Sequence, residues 1–236
     1  MKGFLRIALL LGLISCSNAG ELADGVIEIQ VIAPAPPIVD FGDTTQYTAI
    51  PLNANGDSVG APVVWVTPDD STIIIVNSAT GLVTGVKPNS QGRVQAILGS
   101  LTTGFFTLTI LARPDTIILP ADSVQTVAID DNTSLPLLPV LGSDNPAGPT
   151  AGHRVTFTIV QPAYADTTGQ QGVRLPNGTL TQTTTSVADG TPALNMTVSR
   201  IAGRTTPDSV LVAVTAFQSS GNPVPGSGQR FLVLFE

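Results

Sequence analysis

One cysteine and one histidine occur in 236 residues. The single cysteine, Cys16, excludes any intrachain disulfide, so apolar burial must hold the folded parts. Zinc needs several Cys or His ligands, and one of each excludes an ordinary site. Charged residues make up only 11% of the chain and aromatics only 5%. The formal net charge is −7, and no basic stripe exists. That balance excludes nucleic-acid binding, which draws its affinity from clustered Lys and Arg on phosphates. It excludes electrostatic adhesion to anionic lipid for the same reason. No apolar run reaches the roughly 20 residues that cross a bilayer as a helix. No segment carries a helical period with caps, and neither a Gly-x-Ser-x-Gly elbow nor a Gly-rich phosphate loop occurs. No cofactor is expected.

What is present begins at the N-terminus. Lys2 and Arg6 precede an apolar run, Ile7 to Ile14, broken only by Gly12. A basic start, a short apolar stretch and small residues after it describe an export signal. The tail Leu13-Ile14-Ser15-Cys16 resembles the lipobox of bacterial lipoproteins. The resemblance implies a signal peptide over 1–15, a lipidated Cys16 at the head of the mature chain, and a polar tether over 16–25. It makes the membrane a partner through that lipid. Ser17 in place of Asp implies, by the same resemblance, the outer membrane or cell surface. A rival cut is available: Ser17-Asn18-Ala19 is a small-x-small site, and cleavage before Gly20 gives a freely secreted protein.

Cleavage before Cys16 leaves about 220 residues, too many for one sandwich of roughly 100 and enough for two. Thr, Ser and Val are abundant, and Gly 23 with Pro 19 supplies turns for many short strands. Ile27, Ile29 and Val31 alternate with Glu28 and Gln30, which predicts a half-buried strand. Ala33-Pro34-Ala35-Pro36-Pro37 ends it. Further strands are expected over Thr44 to Leu52, Pro62 to Val66, Thr72 to Asn77, Leu82 to Val86, Arg93 to Leu98 and Phe105 to Leu111. Asn53 to Asp57 is a turn in which Asn55-Gly56 accepts positive φ. Seven short strands at this spacing suggest an immunoglobulin-like sandwich. The string Thr45-Gln46-Tyr47-Thr48-Ala49, Asn55-Gly56-Asp57 and Val64-Trp65-Val66 resembles the bacterial immunoglobulin-like domain, group 2. So does Ile74-Ile75-Val76-Asn77 followed by Gly81-Leu82-Val83-Thr84-Gly85-Val86. Val66-Thr67-Pro68 and the Ile73-Ile74-Ile75 run depart from that pattern. The resemblance covers about residues 25 to 112, giving a domain over 26–112, and implies a spacer or adhesive module with no catalytic residues.

Arg113-Pro114-Asp115 reads as a joint, because Pro stiffens the residue before it. Residues 116–236 are again β-rich. Val127 with Ile129, then Val155, Phe157 and Ile159, form inward faces. So do Leu194, Met196 and Val198, then Val210, Val212, Val214 and Ala216, and finally Phe231, Val233 and Phe235. Ser134 to Gly152 and Gln161 to Gly172 read as long polar surface loops, where function can reside. Gly152-His153-Arg154-Val155-Thr156-Phe157, with Ser186-Val187-Ala188-Asp189-Gly190, resembles the invasin-type group 1 bacterial immunoglobulin-like domain. The expected fold is therefore all-β: two tandem immunoglobulin-like β-sandwiches after an N-terminal signal segment.

Few residues carry chemistry. His153 is the only base for a Ser-His-Asp relay; the plainer reading is a residue at the start of a strand. Asp40 with Asp43, Asp69-Asp70 and Asp130-Asp131-Asn132 supply oxygens for calcium, yet none has EF-hand spacing, so no metal is expected. Asp69-Asp70 and Asn53 to Asp57 fit turn caps better. Trp65 sits in a Val-x-Trp strand and belongs in the core, not on a sugar-stacking surface. Tyr164, in the second long loop, is the better exposed aromatic for partner contact. No catalytic residue is expected. The function read from the residues is a non-catalytic surface lipoprotein for adhesion, display or spacing, with an unknown protein or glycan partner. The alternatives are a carbohydrate-binding module and an assembly subunit of an extracellular fibre or envelope complex.

Overall fold

The computed structural model describes residues 25–128, 130–161, 172–201 and 208–236. Cys16, Ile129 and Tyr164 lie outside these. Strands carry the regular structure, and no helix occurs among the described residues. The N-terminal half holds β1 Val26–Ile32, β2 Ile38–Asp40, β3 Thr44–Gln46, β4 Thr48–Asn53 and β5 Val64–Val66. It continues with β6 Ile74–Val76, β7 Leu82–Gly85, β8 Ser90–Leu98, β9 Leu101–Thr102 and β10 Phe106–Leu111. The C-terminal half holds β11 Thr116–Ile118, β12 Val124–Val127, β13 Val140–Asp144, β14 Ala147–Pro149 and β15 Arg154–Gln161. Then come β16 Val173–Arg174, β17 Thr181–Thr185, β18 Ser199–Arg200, β19 Ser209–Phe217 and β20 Gln229–Phe235.

Each half is an immunoglobulin-like sandwich. In the first, β1 pairs β4, while β3 pairs β7 and β7 pairs β6. Only Tyr47 separates β3 from β4, so these strands make one face. The opposite face runs β2-β10-β8-β5, with β9 beside β8. The proline run after β1 lets the chain leave one face and enter the other, where β2 lies parallel to β10. Proline cannot donate to a ladder, so pairing stops there. The second half repeats the device. β11 pairs β13 on one side, Pro120 and a tight turn follow, and β12 then runs parallel to β20 in the sheet β12-β20-β19-β15-β17.

Two clusters of buried apolar side chains result. One gathers Ile29, Val39, Tyr47, Trp65, Ile74, Val83, Val94, Leu108 and Ile110 among others, and the other spans Ile117 to Phe235. Alternation was a good guide where strands are long. Val155, Phe157 and Ile159 point inward, as do Val210 through Ala216 and Phe231 through Phe235. Phe106, Leu108 and Ile110 share the inner side of β10. The turn Asn53 to Asp57 forms as expected, with Asn53 Oδ1 accepting the Asn55 and Asp57 N–H groups at 2.9 and 3.0 Å.

Four expectations are corrected. A β-bulge between Val26 and Glu28 turns Ile27 outward, 53% exposed, and puts Val26 inside. Thr44 to Leu52 is two strands, not one, because the backbone switches partner at Tyr47. Ser134 to Gly152 is no polar loop: it contains β13 and β14 and buries Leu137, Leu141, Ser143 and Thr150. Its composition hid two short strands; the buried hydroxyls are Ser143, within β13, and Thr150, just past the exposed β14. Leu194 lies in a bend and is 49% exposed, so only Met196 and Val198 of that expected face are buried.

Tyr47 packs against Trp65 and Phe106, with ring centroids 5.9 and 6.2 Å apart. Its hydroxyl is buried without a hydrogen-bond partner, and burial pushes its pKa up. An unmade bond is a desolvation penalty with no return. Tyr47→Phe is expected to leave stability unchanged or raise it by about 1 kcal/mol. Thermal melting followed by fluorescence of Trp65, the only tryptophan, checks this; a clear drop in Tm refutes it.

Candidate functional site

The polar cluster with most structure lies where the two cores meet. β10 ends at Leu111, and the joint Ala112 to Asp115 leads into β11. Ala112 and Pro114 are buried. From the first sandwich, Asp43 Oδ1 holds the Arg113 guanidinium at 3.3 Å, and Asp115 approaches the same guanidinium at 3.7 Å. From the second, Gln218 Nε2 donates to the Pro114 carbonyl at 3.3 Å. Gly152, at φ +83°, lies against Leu111, where a Cβ would sit 3.0 Å from Cδ1. Only glycine takes that backbone cheaply and lets the joint approach so closely.

At the centre are Asp40, His153 and Ser219. Asp40 ends β2 and is fully buried. Its N–H donates to Ser219 Oγ, and its Oδ2 accepts the Ser219 N–H, both at 2.9 Å. These two residues stand 179 positions apart in sequence. His153 precedes β15 and is 2% exposed. Its Nε2 lies 2.8 Å from the Ala112 carbonyl. A carbonyl only accepts, so Nε2 carries the hydrogen. Its Nδ1 faces Asp40 Oδ1 at 3.8 Å, ion-pair range but too long for a hydrogen bond. Asp40 Oδ1 has no hydrogen-bond partner. Burial raises the Asp40 pKa, partly opposed by the Ser219 bond and the His153 ring.

Asp, His and Ser therefore converge, but without a charge relay. A relay needs one imidazole nitrogen on the serine oxygen and the other on the carboxylate. Here Nε2 is engaged by Ala112, and Ser219 Oγ accepts from the Asp40 backbone. The trio bonds the first sandwich to the second. His153 stands at the start of a strand, as expected, yet it is buried against the other sandwich. From the sequence, Asp40 stands out only as a calcium ligand beside Asp43. The structure turns its carboxylate to Ser219 and His153 instead. Ser219 and Gln218 gave no signal, because Gln-Ser-Ser-Gly reads as an ordinary turn.

Asp70 caps a turn and Asp69 pairs with an arginine. Asp70 Oδ1 accepts the Thr72 N–H at 2.8 Å, which lowers its pKa. Asp69 holds Arg93 at 2.7 Å, and that bond lowers its pKa. No cluster of three or more metal-ligating side chains occurs among the described residues. Trp65 is 4% exposed and offers no ring face for stacking a sugar, as its strand position predicts.

Neither a protein-family model nor a curated protein matches this chain. Among solved structures, the Yersinia pseudotuberculosis adhesin InvE aligns at TM-score 0.40 and 15% identity, over 90% of this chain and 60% of InvE. The chain thus spans about 60% of the length of that chain. Fibronectin(III)-like modules of Clostridium thermocellum CbhA align at TM-score 0.38 and 10% identity, covering 89% of this chain and 94% of theirs. Domains 4 and 5 of the S-layer protein SbsC align at 0.32 and 16%, covering 89% and 98%. Scores this low establish no kinship; the architecture rests on the strand pairing itself.

Proposed function

We propose that this protein is an exported, non-catalytic lipoprotein of the cell envelope, whose two immunoglobulin-like domains form a stiff spacer for display or adhesion. The observation that carries the reading is the buried Asp40–Ser219–His153 connection. It supports a fixed angle between domains 26–112 and 116–236 rather than free swivelling about the joint. A spacer needs that stiffness; an adhesin needs it to present its tip. The trio that would otherwise suggest hydrolysis is consumed by that connection. Lipid on Cys16 ties the spacer to a membrane, and the polar tether over 16–25 gives clearance. One acyl chain binds only marginally, so stable anchoring requires multiple acylation. Partner contact falls to the segment Gln161 to Gly172, which carries Tyr164. The carbohydrate-binding alternative lacks an exposed aromatic platform at Trp65.

Intact mass of the mature protein from a membrane fraction tests the anchor. The expected species begins at a multiply acylated Cys16. A species beginning at unmodified Gly20 rejects the lipid and leaves a secreted protein. Deleting 162–171 is expected to abolish pull-down of a surface partner without lowering Tm; retained pull-down removes that segment from the contact.

A further inference from the structure

We infer that the junction is a proton-set latch: Asp40 and His153 together hold one proton while the two sandwiches are docked, and losing it frees them. The inference deepens the stiff-spacer reading and is independent of the lipid and of the partner's identity.

The geometry leaves Asp40 one route to neutrality. Its carboxylate is fully buried, and Ser219, a neutral donor, occupies one oxygen. The other oxygen faces only the imidazole. No charged group on a neighbouring element compensates Asp40, and the charge of Asp43 adds repulsion that favours the protonated form. Asp43, just beyond β2, holds Arg113, and Asp115 shares that same guanidinium. Arg154, which starts β15, is turned onto the Phe217 ring at 4.3 Å. The segment after β19 brings Gln218 and Ser219, neither of which ionises. An ionised Asp40 beside a neutral imidazole would be a buried charge held only by neutral Ser219 donors, with no opposite charge, which is disfavoured. The docked pair therefore keeps one proton, whichever of the two residues carries it.

The open joint behaves differently. In water a carboxyl and an imidazole release their protons near roughly 3.9 and 6.5. Between these values the open pair also holds one proton, so docking is independent of pH. Above about 6.5 the open pair holds none, and docking must take up a proton. The proton is bound more tightly in the docked state. Docking is therefore at full strength below about 6.5, weakens about tenfold per pH unit from there up to the release point of the docked pair, and levels off above it.

Amide hydrogen exchange on the full chain tests this. The Asp40 and Ser219 N–H groups make the cross-junction bonds and report docking directly. After correction for intrinsic rates, their protection is expected to fall at least tenfold between about pH 6 and pH 8. The Val94 and Phe157 amides, one in each core, are expected to hold steady. Asp40→Asn keeps an acceptor for Ser219 but cannot ionise, and is expected to flatten the dependence. If that variant fails to fold, His153→Gln decides, since it keeps a donor for the Ala112 carbonyl. Wild-type protection equal within about twofold at both pH values overturns the latch. So does a folded variant that retains the wild-type dependence. A stiff but pH-independent junction would sink the latch and leave the spacer standing. A junction unprotected at either pH would sink both.

Discussion

Gly81→Ala is expected to destabilise the N-terminal sandwich by about 3–4 kcal/mol. Gly81 closes the turn after β6, at φ +74°. Its N–H donates to the Asn77 carbonyl, and its own carbonyl accepts the Tyr47 N–H, at 2.9 and 3.0 Å. A Cβ built there would lie 2.5 Å from the Tyr47 carbonyl oxygen and 2.6 Å from Trp65 Nε1. Two penalties add. A left-handed backbone costs a residue with a Cβ about 1–2 kcal/mol. The rest is steric, because neither obstacle yields easily: one is backbone at the β3–β4 break, the other a buried indole. Gly56→Ala separates the two contributions. Gly56 has a similar φ, +82°, with nothing within 4 Å of its would-be Cβ, so only the backbone penalty of about 1–2 kcal/mol applies. The two costs differ by about 2 kcal/mol, so at about 4–8 °C per kcal/mol Gly81→Ala should melt roughly 8–16 °C below Gly56→Ala. Trp65 fluorescence reads the transition in the affected core. Equal melting of the two variants would show that the turn relaxes freely.

That turn is legible in the sequence, since Ser78 to Gly81 is all that separates the expected strands Thr72 to Asn77 and Leu82 to Val86. So is β15, where polar and apolar residues alternate from Arg154 to Ile159; β8, in contrast, begins at Ser90, three residues before the expected start at Arg93. Short strands are not. β2 has three residues and β9 two, and neither is long enough to show a period. β2 is defined by its parallel neighbour β10, far along the chain, and no local pattern encodes that. β14 reads Ala-Gly-Pro, a composition that signals a turn. The bulge in β1 broke the alternation at its first member only: Ile27 turns outward, while Ile29 and Val31 keep the expected inner face. The junction was the least legible part. Asp40, His153 and Ser219 each sit in an unremarkable local context, and only the folding of two sandwiches against one joint makes them neighbours. Arg113-Pro114-Asp115 marked the place of the joint, but its partners come from residues as distant as Gln218.

Phe157→Ala in the C-terminal core is expected to cost about 3–5 kcal/mol, and its consequence for the other core is the more telling result. Phe157 is fully buried on β15, opposite Val214 of β19. Removing the ring opens a cavity between sheets that pair along their length and cannot collapse freely. Trp65 belongs to the other cluster, so its fluorescence follows the N-terminal core alone. Calorimetry of the variant should show the C-terminal transition moved to lower temperature and resolved from the Trp65 transition. The separation has a limit. Once the C-terminal sandwich unfolds, the N-terminal one loses Ser219, Gln218 and His153 as partners across the joint. Net contributions near 1 kcal/mol per hydrogen bond make that docking worth about 2–4 kcal/mol. Trp65 should therefore report a modest loss, smaller than the one in the C-terminal core. A Trp65 transition that falls fully in step with the calorimetric one would mean a single cooperative unit, with the junction as strong as either core. An unmoved one would mean that the polar contacts at the joint contribute nothing to stability. The expected intermediate result is what a latch requires: strong enough to hold two domains at one angle, weak enough to release them while both stay folded.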